Sequence, residues 1–435
     1  MKGRLLDLLV CPTCSGRFAL QADVTQARSA AAGPGYDSEV IEGTLTCTSC
    51  GRTYPIINAV PRILGPALLR RMEARYPDYF ARHRRPSAVS PTTVARDNEA
   101  TPAGHDVNPP GHDATPVGDD ATPVGDDATL RGDGDELGET LESFTRQRLD
   151  LRPPGPEFAA QWRAHFAKVA GPELASDRLA GKLVLDAGAG FGRHLVAAAE
   201  LGAEVVGIDL SGGVDVACRN TWHLDRVPLV QTNLYQPPFA PGTFDVVWSF
   251  GVLHHLPDPR GGFHSIARLA RPDDGIVAVW VYGYEGMAFT YRLSHLRAVR
   301  RLLARRSPAA KVRVSRAIAA ALSVGYWGPL SVLDRAGFHD RVRRLPLSEQ
   351  VHHGWSARVA AVHDRVATPI THYHDRPELE AWFAEQGMKD VEVVDTNRRG
   401  WRAFGRRHAE AGAAELEAVA RRTDEQLATS RAEGS

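Results

Sequence analysis

The chain has 435 residues, which is long enough to bury a complete α/β core. Its 52 basic and 52 acidic residues balance, and this excludes a strong overall field that would attract nucleic acid. The first residues lack the basic flank and long apolar centre of a signal peptide, and no apolar run is long enough to span a bilayer. We therefore expect a cytoplasmic protein with no transmembrane segment and no nucleic-acid partner.

Two CxxC pairs lie near the start of the chain, Cys11 with Cys14 and Cys47 with Cys50. Four thiolates from two tight turns predict a structural, tetrahedral Zn²⁺ site, because a segment this short needs such a crosslink to fold. The alternative, redox or unliganded thiols, does not explain why the CxxC pair occurs twice. Four cysteine ligands leave no open coordination position, so this zinc is not expected to take part in catalysis.

The sequence around these cysteines, residues 4–65, resembles the small zinc-ribbon activator subunit of translation-machinery methyltransferases. The resemblance rests on the CxxC pairs and on the elements Tyr54-Pro-Ile56 and Val60-Pro-Arg62. A long insert rich in Ala and Gly, about Gln21–Glu39, departs from the family. The resemblance implies a zinc-ribbon domain at 1–66 that docks in cis on a catalytic domain of the same chain and acts as a scaffold or activator.

Residues 67–140 are predicted to form a disordered, acidic linker. A seven-residue unit repeats there as Asp113–Asp119 and Asp120–Asp126, with a drifted copy at Asp127–Asp133. Each clear copy contains Pro and Gly, which exclude a helix. The segment also lacks the apolar residues that a core would need.

Further along the chain, an apolar stretch breaks into three alternating glycines, Gly188, Gly190 and Gly192. A second apolar stretch ends in Asp209, about twenty residues after the first, as expected for the strand–loop–helix–strand unit of a Rossmann-like nucleotide site. Asp209 is predicted to accept hydrogen bonds from a ribose diol. Asp186 precedes the glycines, where it would repel a pyrophosphate and attract ammonium and sulfonium groups. This favours S-adenosylmethionine (SAM) over a dinucleotide.

Two further residues are predicted to contact the adenine. Asn233 follows the third predicted strand and can accept a hydrogen bond from the adenine amino group, and Leu234 would pack against the ring. Leu210 and Ser249 complete the predicted set of cofactor-binding residues.

The order of these motifs resembles class I SAM-dependent methyltransferases, especially the branch that includes the ubiquinone and menaquinone C-methyltransferases. The resemblance covers residues 180–285 closely and resumes at Leu379–Gly405. It implies an α/β domain at 141–408 with a Rossmann-like, seven-stranded, mostly parallel sheet, followed by a helical tail at 409–435. The family usually has Asp where this chain has Asn233, and Asn keeps the acceptor oxygen.

A basic helical lid, at about 287–370, is predicted to interrupt this domain after its fifth strand. Leu and Val recur in it at spacings of three and four with Arg between them, which indicates amphipathic helices. We favour a solvated basic face over an apolar lid. A site for an anionic acceptor, and contact with a membrane or nucleic acid, are the alternatives.

Two histidines after the fourth predicted strand, His254 and His255, are the candidate catalytic residues. One of them, with His255 favoured, is a candidate general base because imidazole titrates near neutral pH; the alternative is that both pack against the donor. Tyr282, His372 and His374 are candidate substrate contacts. Ordinary packing for Tyr282 and a metal pair for the two histidines are the alternatives.

These features predict transfer of a methyl group from SAM to a small-molecule O, N or C acceptor. Two other functions stay open. One is methylation of RNA or of a translation protein, which the activator-like ribbon favours and the neutral charge opposes. The other is a SAM-binding scaffold without turnover.

Overall fold

The computed structural model describes residues 1–28, 33–83, 145, 159–283, 298–303, 306–343, 345, 347–368, 370–396 and 400–408. Within these residues we distinguish a ribbon domain (1–66), a core domain (159–283 and 370–408) and a lid (298–368). The predicted repeats at 113–133 and the predicted tail at 409–435 lie outside the described residues.

Four antiparallel strands build the ribbon domain. They are β1 Phe18–Ala27, β2 Ser38–Cys47, β3 Thr53–Ile57 and β4 Val60–Ile63, preceded by the helix Gly3–Leu8. Asn58 and Ala59 both have positive φ, the geometry of a two-residue hairpin turn between β3 and β4. The described residues of the insert Gln21–Glu39 extend β1 and β2, so the insert lengthens the first hairpin.

The core domain has seven strands in the order β7-β6-β5-β8-β9-β11-β10. All neighbours in it are parallel except β11, which is antiparallel to both β9 and β10. The strands are β5 Leu183–Ala187, β6 Glu204–Asp209, β7 Leu229–Thr232, β8 Val246–Phe250, β9 Ile276–Tyr282, β10 Lys389–Asp395 and β11 Gly400–Arg406. The flanking helices are Ala159–Ala170, Arg193–Glu200, Gly213–Thr221, Pro259–Ala267 and Arg376–Glu385. This is the Rossmann-like, mostly parallel α/β sheet that the sequence predicts.

The sheet is larger than the seven strands predicted. Within the described residues it has eleven strands, because β4 of the ribbon domain pairs in parallel with β7 of the core domain. Arg62 lies opposite Gln231, and Ile63 lies opposite Thr232. The prediction missed the added strands because hydrophobic periodicity reports that a strand exists and does not report which strand edges meet.

Apolar packing is also continuous between the ribbon and core domains. Leu5, Leu9 and Ile56 of the ribbon domain belong to the same buried cluster as Ile208 and Val230 of the core domain. The two domains therefore share a hydrophobic core as well as a sheet.

The predicted linker begins too early. The helices Pro66–Arg75 and Pro77–His83 occupy positions that were predicted to be disordered from residue 67 onward. Pro at the start of each helix is compatible with the first helical turn, and Met72 and Tyr79 are buried. These helices have apolar residues to bury, which the acidic repeats lack, and residues 84–140 lie outside the described part of the chain.

The lid consists of helices around an apolar cluster of its own. The helices are Pro308–Leu322, the π-helical turn Ser323–Trp327, Gly328–Arg335, His339–Arg343 and Trp355–Val366. Trp327, Leu330 and Val362 are buried in this cluster, which is separate from the clusters of the core domain.

One helical stretch of the described chain, Ala309–Arg335, is long and apolar enough to cross a membrane by length and composition, which the sequence analysis did not predict. Only 17% of its apolar window is buried. Its inner face carries the buried residues Lys311 and Ser315, and the Ser315 hydroxyl lies 3.1 Å from Nδ1 of His363. In this structure the stretch is a surface helix of the lid, and the part of its inner side that carries Ser315 packs against the helix Trp355–Val366.

Candidate functional site

Four thiols meet in the ribbon domain. The Sγ atoms of Cys11, Cys14, Cys47 and Cys50 all lie within 4.8 Å of one another. The Sγ atoms of Cys11 and Cys50 are 3.8 Å apart, and those of Cys14 and Cys47 are 3.5 Å apart. A ZnS₄ tetrahedron with Zn–S bonds of about 2.3 Å has edges of about 3.8 Å. The donor set therefore fits the structural Zn²⁺ predicted from the sequence.

Backbone conformation explains the three glycines after β5. Gly188, Gly190 and Gly192 have φ values of +98°, +60° and +90°, in the left-handed region that glycine adopts without strain. A Cβ on Gly188 would lie 2.3 Å from the Val252 side chain. The loop thus presents bare backbone at the carboxyl ends of the parallel strands, which is where ligands bind in this type of sheet.

Asp209 ends β6 and organises this glycine loop. Its Oδ2 accepts a hydrogen bond of 2.7 Å from the Gly190 N–H. Its Oδ1 accepts hydrogen bonds of 2.8 Å and 2.6 Å from the N–H and hydroxyl of Ser211. A carboxylate offers about four acceptor positions, so these three contacts leave at most about one for a ribose hydroxyl.

Asp186 lies near the end of β5 and is completely buried. Among the described residues, neither of its carboxylate oxygens meets the geometry of a hydrogen bond, although the Trp248 side chain lies near enough to lower the carboxyl pKa. Burial raises the pKa of Asp186 from 3.8 to about 7. A buried carboxylate without a partner is unfavourable, and a cationic group beside it would relieve that cost.

The predicted adenine contacts follow β7, and a further predicted cofactor contact, Leu210, follows β6. Leu234 is buried, and the half-buried Asn233 accepts a hydrogen bond of 3.0 Å from the Tyr235 N–H through its Oδ1. Leu210 is half-buried beside the loop that Asp209 organises. All three predicted residues therefore lie at the carboxyl ends of the strands.

Ser249 is placed differently from the other predicted cofactor contacts. It lies within β8, has no exposed surface and donates a hydrogen bond of 2.7 Å to the Ala187 carbonyl. We interpret it as a support that joins β8 to the end of β5 under the glycine loop.

The helix Ala159–Ala170 packs over the glycine loop, where the Trp162 ring lies 5.9 Å from that of Phe191. Behind it, Nδ1 of His165 lies 3.2 Å from Nε2 of His194. Burial lowers the pKa of both histidines well below 6.5, so the pair is neutral and one ring donates to the other. The sequence analysis missed this pair because its members belong to separate helices.

His255 has oxygen acceptors on both sides of its ring. Its Nδ1 lies 2.9 Å from the Ile370 carbonyl oxygen, and its Nε2 lies 3.4 Å from Oδ1 of Asp364. Only the imidazolium form offers a donor to both acceptors. This arrangement does not favour His255 as a general base.

His254 is buried and its ring stacks on Tyr282, with the ring centroids 4.0 Å apart. Within the described residues its Nδ1 has no hydrogen-bond partner. Burial lowers the pKa of His254 well below 6.5, so the ring is neutral. The two adjacent histidines therefore differ in their partners.

Asp364, which the sequence analysis missed, connects the lid to these residues. It lies in the lid helix Trp355–Val366, and its Oδ2 accepts a hydrogen bond from the Tyr282 hydroxyl while Oδ1 faces His255. Burial alone would raise the pKa of Asp364, but His255 and the Tyr282 hydroxyl hold it well below its usual range. No local motif marks Asp364, because its partners lie more than eighty residues away in sequence.

The remaining candidates lie beside these groups. The His372 N–H donates a hydrogen bond of 2.7 Å to the His254 carbonyl, and the His374 N–H donates one of 2.9 Å to the Tyr282 carbonyl. The structure thus brings together five predicted residues, His254, His255, Tyr282, His372 and His374, which come from three separate parts of the chain.

The metal-pair alternative for His372 and His374 gains no support. Nδ1 of His374 lies 3.0 Å from Oε1 of Glu378. Across the described parts of the chain, the four cysteines are the one group of three or more ligating side chains close enough to share an ion.

Two protein families match separate parts of the chain. Residues 185–279 match the family described as a methyltransferase domain, and residues 2–58 match the family described as Trm112p-like protein. The chain carries a methyltransferase domain and a Trm112p-like domain. The resemblances stated from the sequence, to SAM-dependent methyltransferases and to a zinc-ribbon activator, are confirmed.

Relatives of the methyltransferase domain include enzymes of quinone biosynthesis. Ubiquinone biosynthesis O-methyltransferase of Azoarcus sp. (strain BH72) is 36% identical over 108 residues, which are 22% of this chain and 43% of the relative. Demethylmenaquinone methyltransferase of Clavibacter sepedonicus is 35% identical over 118 residues, 27% of this chain and 45% of the relative. The chain therefore spans less than half the length of these relatives.

One solved structure that the chain matches is magnesium protoporphyrin IX methyltransferase from Synechocystis PCC 6803 with bound SAH. It is 16% identical to this chain and has a TM-score of 0.35, over 63% of this chain and 97% of that one.

The donor site of the methyltransferase domain fits SAM better than a dinucleotide. A dinucleotide would bring a pyrophosphate towards the buried carboxylate of Asp186, which is unfavourable. SAM carries an ammonium and a sulfonium and no phosphate, so it would supply the cation that Asp186 lacks.

A buried ion pair, also missed from the sequence, links the Trm112p-like domain to the methyltransferase domain. Arg62 is completely buried, and its guanidinium contacts Oδ1 of Asp215 at 2.5 Å and Oε1 of Gln231 at 2.8 Å. Oδ2 of Asp215 accepts a hydrogen bond of 2.6 Å from the Tyr76 hydroxyl and lies 3.3 Å from Arg75. Burial alone would raise the pKa of Asp215, but the two arginines hold it below its ordinary value. In the sequence, Arg62 was noted only as part of the Val-Pro-Arg element that supports the resemblance to the zinc-ribbon family.

Proposed function

We propose that the chain transfers a methyl group from SAM to a small-molecule acceptor, through O, N or C. The observation that carries the proposal is the buried carboxylate of Asp186, without a partner among the described residues, beside a glycine loop held by Asp209. The quinone-biosynthesis relatives support a small-molecule acceptor.

The donor supplies an electrophilic methyl group on a positively charged sulfur. In this proposal Asp186 pairs with the donor ammonium, and Asp209 accepts a hydrogen bond from the ribose. Asn233 and Leu234 hold the adenine, and the glycine loop lets the donor approach the backbone closely. The chain then mainly aligns donor and acceptor, because methyl transfer is an in-line displacement that depends on orientation.

The acceptor is proposed to lie against His254, Tyr282, His372 and His374. Where the acceptor must lose a proton, His254 is the better base candidate, because its ring is neutral and its Nδ1 has no partner among the described residues. This reverses the preference for His255 as the general base that the sequence suggested. We propose that His255 instead fixes the lid through Asp364.

The two histidines can be separated by kinetics. His254→Ala should lower kcat with acceptors that carry a proton of high pKa, and His255→Ala should mainly raise the acceptor KM because the lid is less well held. If both variants had the same kinetics as the wild type, neither histidine would have its proposed role, and both would serve only in packing.

We also propose that the ribbon domain docks in cis and supports the edge of the sheet at β7. The pairing of β4 with β7 and the buried Arg62 support this. A cytoplasmic location is proposed as well, because four ligating thiols suit a reducing compartment.

The direct test is an acceptor screen on the full chain that measures S-adenosylhomocysteine. We expect product with one class of small molecule, and a strongly raised donor KM for Asp209→Ala because the ribose contact is lost. Asp273→Ala, which changes an exposed carboxylate before β9, is the control and should leave the kinetics unchanged.

The Trm112p-like domain favours one other function, methylation of RNA or of a translation protein. A filter-binding assay with total RNA separates the two, because phosphate contacts make affinity fall steeply with salt. Strong, salt-dependent binding to RNA would favour RNA methylation over methylation of a small molecule. Tight SAM binding with no S-adenosylhomocysteine from any acceptor would favour the scaffold without turnover.

A further inference from the structure

Exposed apolar side chains concentrate on the lid. Of the eight large apolar residues that are exposed in the described chain, seven belong to it. They are Leu302, Val324, Val332, Leu333, Phe338, Leu345 and Trp355. Val24, in the ribbon domain, is the eighth. A soluble surface ordinarily disperses such residues, so a concentration of them marks a binding surface.

The helix Gly328–Arg335 shows how this surface is organised. Its buried residues, Leu330 and Asp334, are four apart and lie on one side of the helix. Val332 is 64% exposed and lies on the opposite side, and Leu333, which is 44% exposed, lies on the flank of the helix. The apolar residues therefore project away from the lid core, and the inner side already has its packing partners.

The charges around this surface are nearly all positive. Between residues 306 and 343, the exposed charged side chains are six arginines and one aspartate. They are Arg306, Arg313, Arg316, Arg335, Arg341, Arg343 and Asp340. The Arg341 guanidinium lies 5.6 Å from the centre of the Phe338 ring, so basic and apolar groups adjoin directly. The whole chain has no net charge, which makes this local excess a property of the lid.

The buried side of the lid helices argues against insertion across a bilayer. Lys311 and Ser315 are buried there, and Ser315 lies within hydrogen-bond distance of His363. The Trp327 indole N–H donates a hydrogen bond of 3.0 Å to the Leu347 carbonyl. Spanning a bilayer would remove these polar groups from their partners, whereas lying on its surface would not.

We propose that the outer face of the lid is a docking surface for a bilayer that contains anionic phospholipid. Its apolar residues enter the boundary between headgroups and acyl chains, and the surrounding arginines pair with the lipid phosphates. The half-exposed Trp355 is of a residue type that favours this boundary. Asp364 of the same helix contacts His255 and Tyr282, so the docked helices adjoin the proposed acceptor site.

The test is sedimentation of the full chain with vesicles of phosphatidylcholine alone or mixed with phosphatidylglycerol. We expect binding to the mixed vesicles that weakens as salt rises, and much weaker binding to phosphatidylcholine. The combined variant Val332→Ser, Leu333→Ser and Phe338→Ser should bind the mixed vesicles at least about tenfold more weakly, because apolar burial is lost. These side chains are exposed, so the variant should fold, and an unchanged Tm would verify this.

Val24→Ser is the matched control, because it removes the exposed apolar side chain of the ribbon domain and should leave vesicle binding unchanged. Arg313→Gln, Arg316→Gln and Arg341→Gln together should remove most of the salt dependence. Equal binding of the wild type and the apolar triple variant would overturn the proposal. So would binding to tRNA without binding to either vesicle, or a dimer in solution that the triple variant dissociates while vesicles bind nothing.

Discussion

The ribbon domain and the lid both contact the core domain, and they do so in opposite ways. The ribbon domain extends the central sheet through β4 and shares an apolar cluster with it. Its Arg62 is completely buried against Asp215. The lid has an apolar cluster of its own and reaches the acceptor residues through polar contacts, among them those of Asp364.

This difference indicates how each part behaves. Parts that share a sheet and a core unfold together, whereas a part with a separate core opens at a lower free energy. We therefore expect the ribbon and core domains to form one cooperative unit that holds the donor site. The lid is expected to open independently.

Loss of the zinc site should have the largest effect on stability. Cys47→Ser removes one of four ligands, and structural zinc contributes folding free energy directly. If the ribbon and core domains form one unit, the variant should lower the Tm of the whole protein in a single transition. Differential scanning calorimetry measures this.

Cys218→Ser is the control for that experiment, because Cys218 lies outside the four-thiol cluster. If the Cys47→Ser variant lost its zinc and the core domain kept its melting transition, the ribbon and core domains would not form one cooperative unit.

The ion pair between the domains should give the second largest effect. Asp215→Asn leaves Arg62 buried with its charge uncompensated, which should lower the free energy of unfolding by about 3–5 kcal/mol. Urea denaturation of the variant and the wild type measures the difference. The exposed pair of Arg163 and Glu200 gives a matched control, and Glu200→Gln should cost about 1 kcal/mol or less.

The pH dependence of the free energy of unfolding gives a second test of this ion pair. The pKa of Asp215 is lowered in the folded protein, so its contribution is complete above the ordinary Asp value and is lost as pH falls below it. The gap in the free energy of unfolding between the wild type and Asp215→Asn should therefore be constant near neutral pH and should narrow below about pH 4. A gap that widens on acidification would contradict this account.

Loosening the lid should give the smallest effect on global stability. Asp364→Asn removes the charge that faces His255, which should reduce the local opening free energy of the lid by about 1–2 kcal/mol. Hydrogen exchange should then accelerate in the helix Trp355–Val366 and stay unchanged in β5. Asp340→Asn, at an exposed carboxylate of the lid, should alter neither region. Equal acceleration in β5 would mean that the lid is not a separate unit.

Local spacing was sufficient to predict the glycine loop and the cysteine cluster. The glycine loop needs three positive φ values within five residues, and such a requirement is visible in the sequence itself. The two CxxC pairs likewise predicted a cluster whose four Sγ atoms lie within 4.8 Å of one another.

Contacts between distant segments were not predictable in this way. Arg62 and Asp215 are 153 residues apart, and Tyr282 and Asp364 are 82 apart, with no local pattern that pairs them. The different partners of His254 and His255 were not visible from local spacing for the same reason. The partners of the His255 ring come from the lid and from the segment after it.

The central claim is that Asp186 and Asp209 hold a cationic adenosine donor, and calorimetric titration tests it most directly. The full chain should bind SAM, with an affinity that rises by up to about eightfold from about pH 6 to about pH 7.5 as Asp186, with its pKa of about 7, ionises. Asp186→Asn should bind SAM more weakly and without this pH dependence. Heat with NADH and none with SAM, or identical pH profiles for the wild type and Asp186→Asn, would contradict the account.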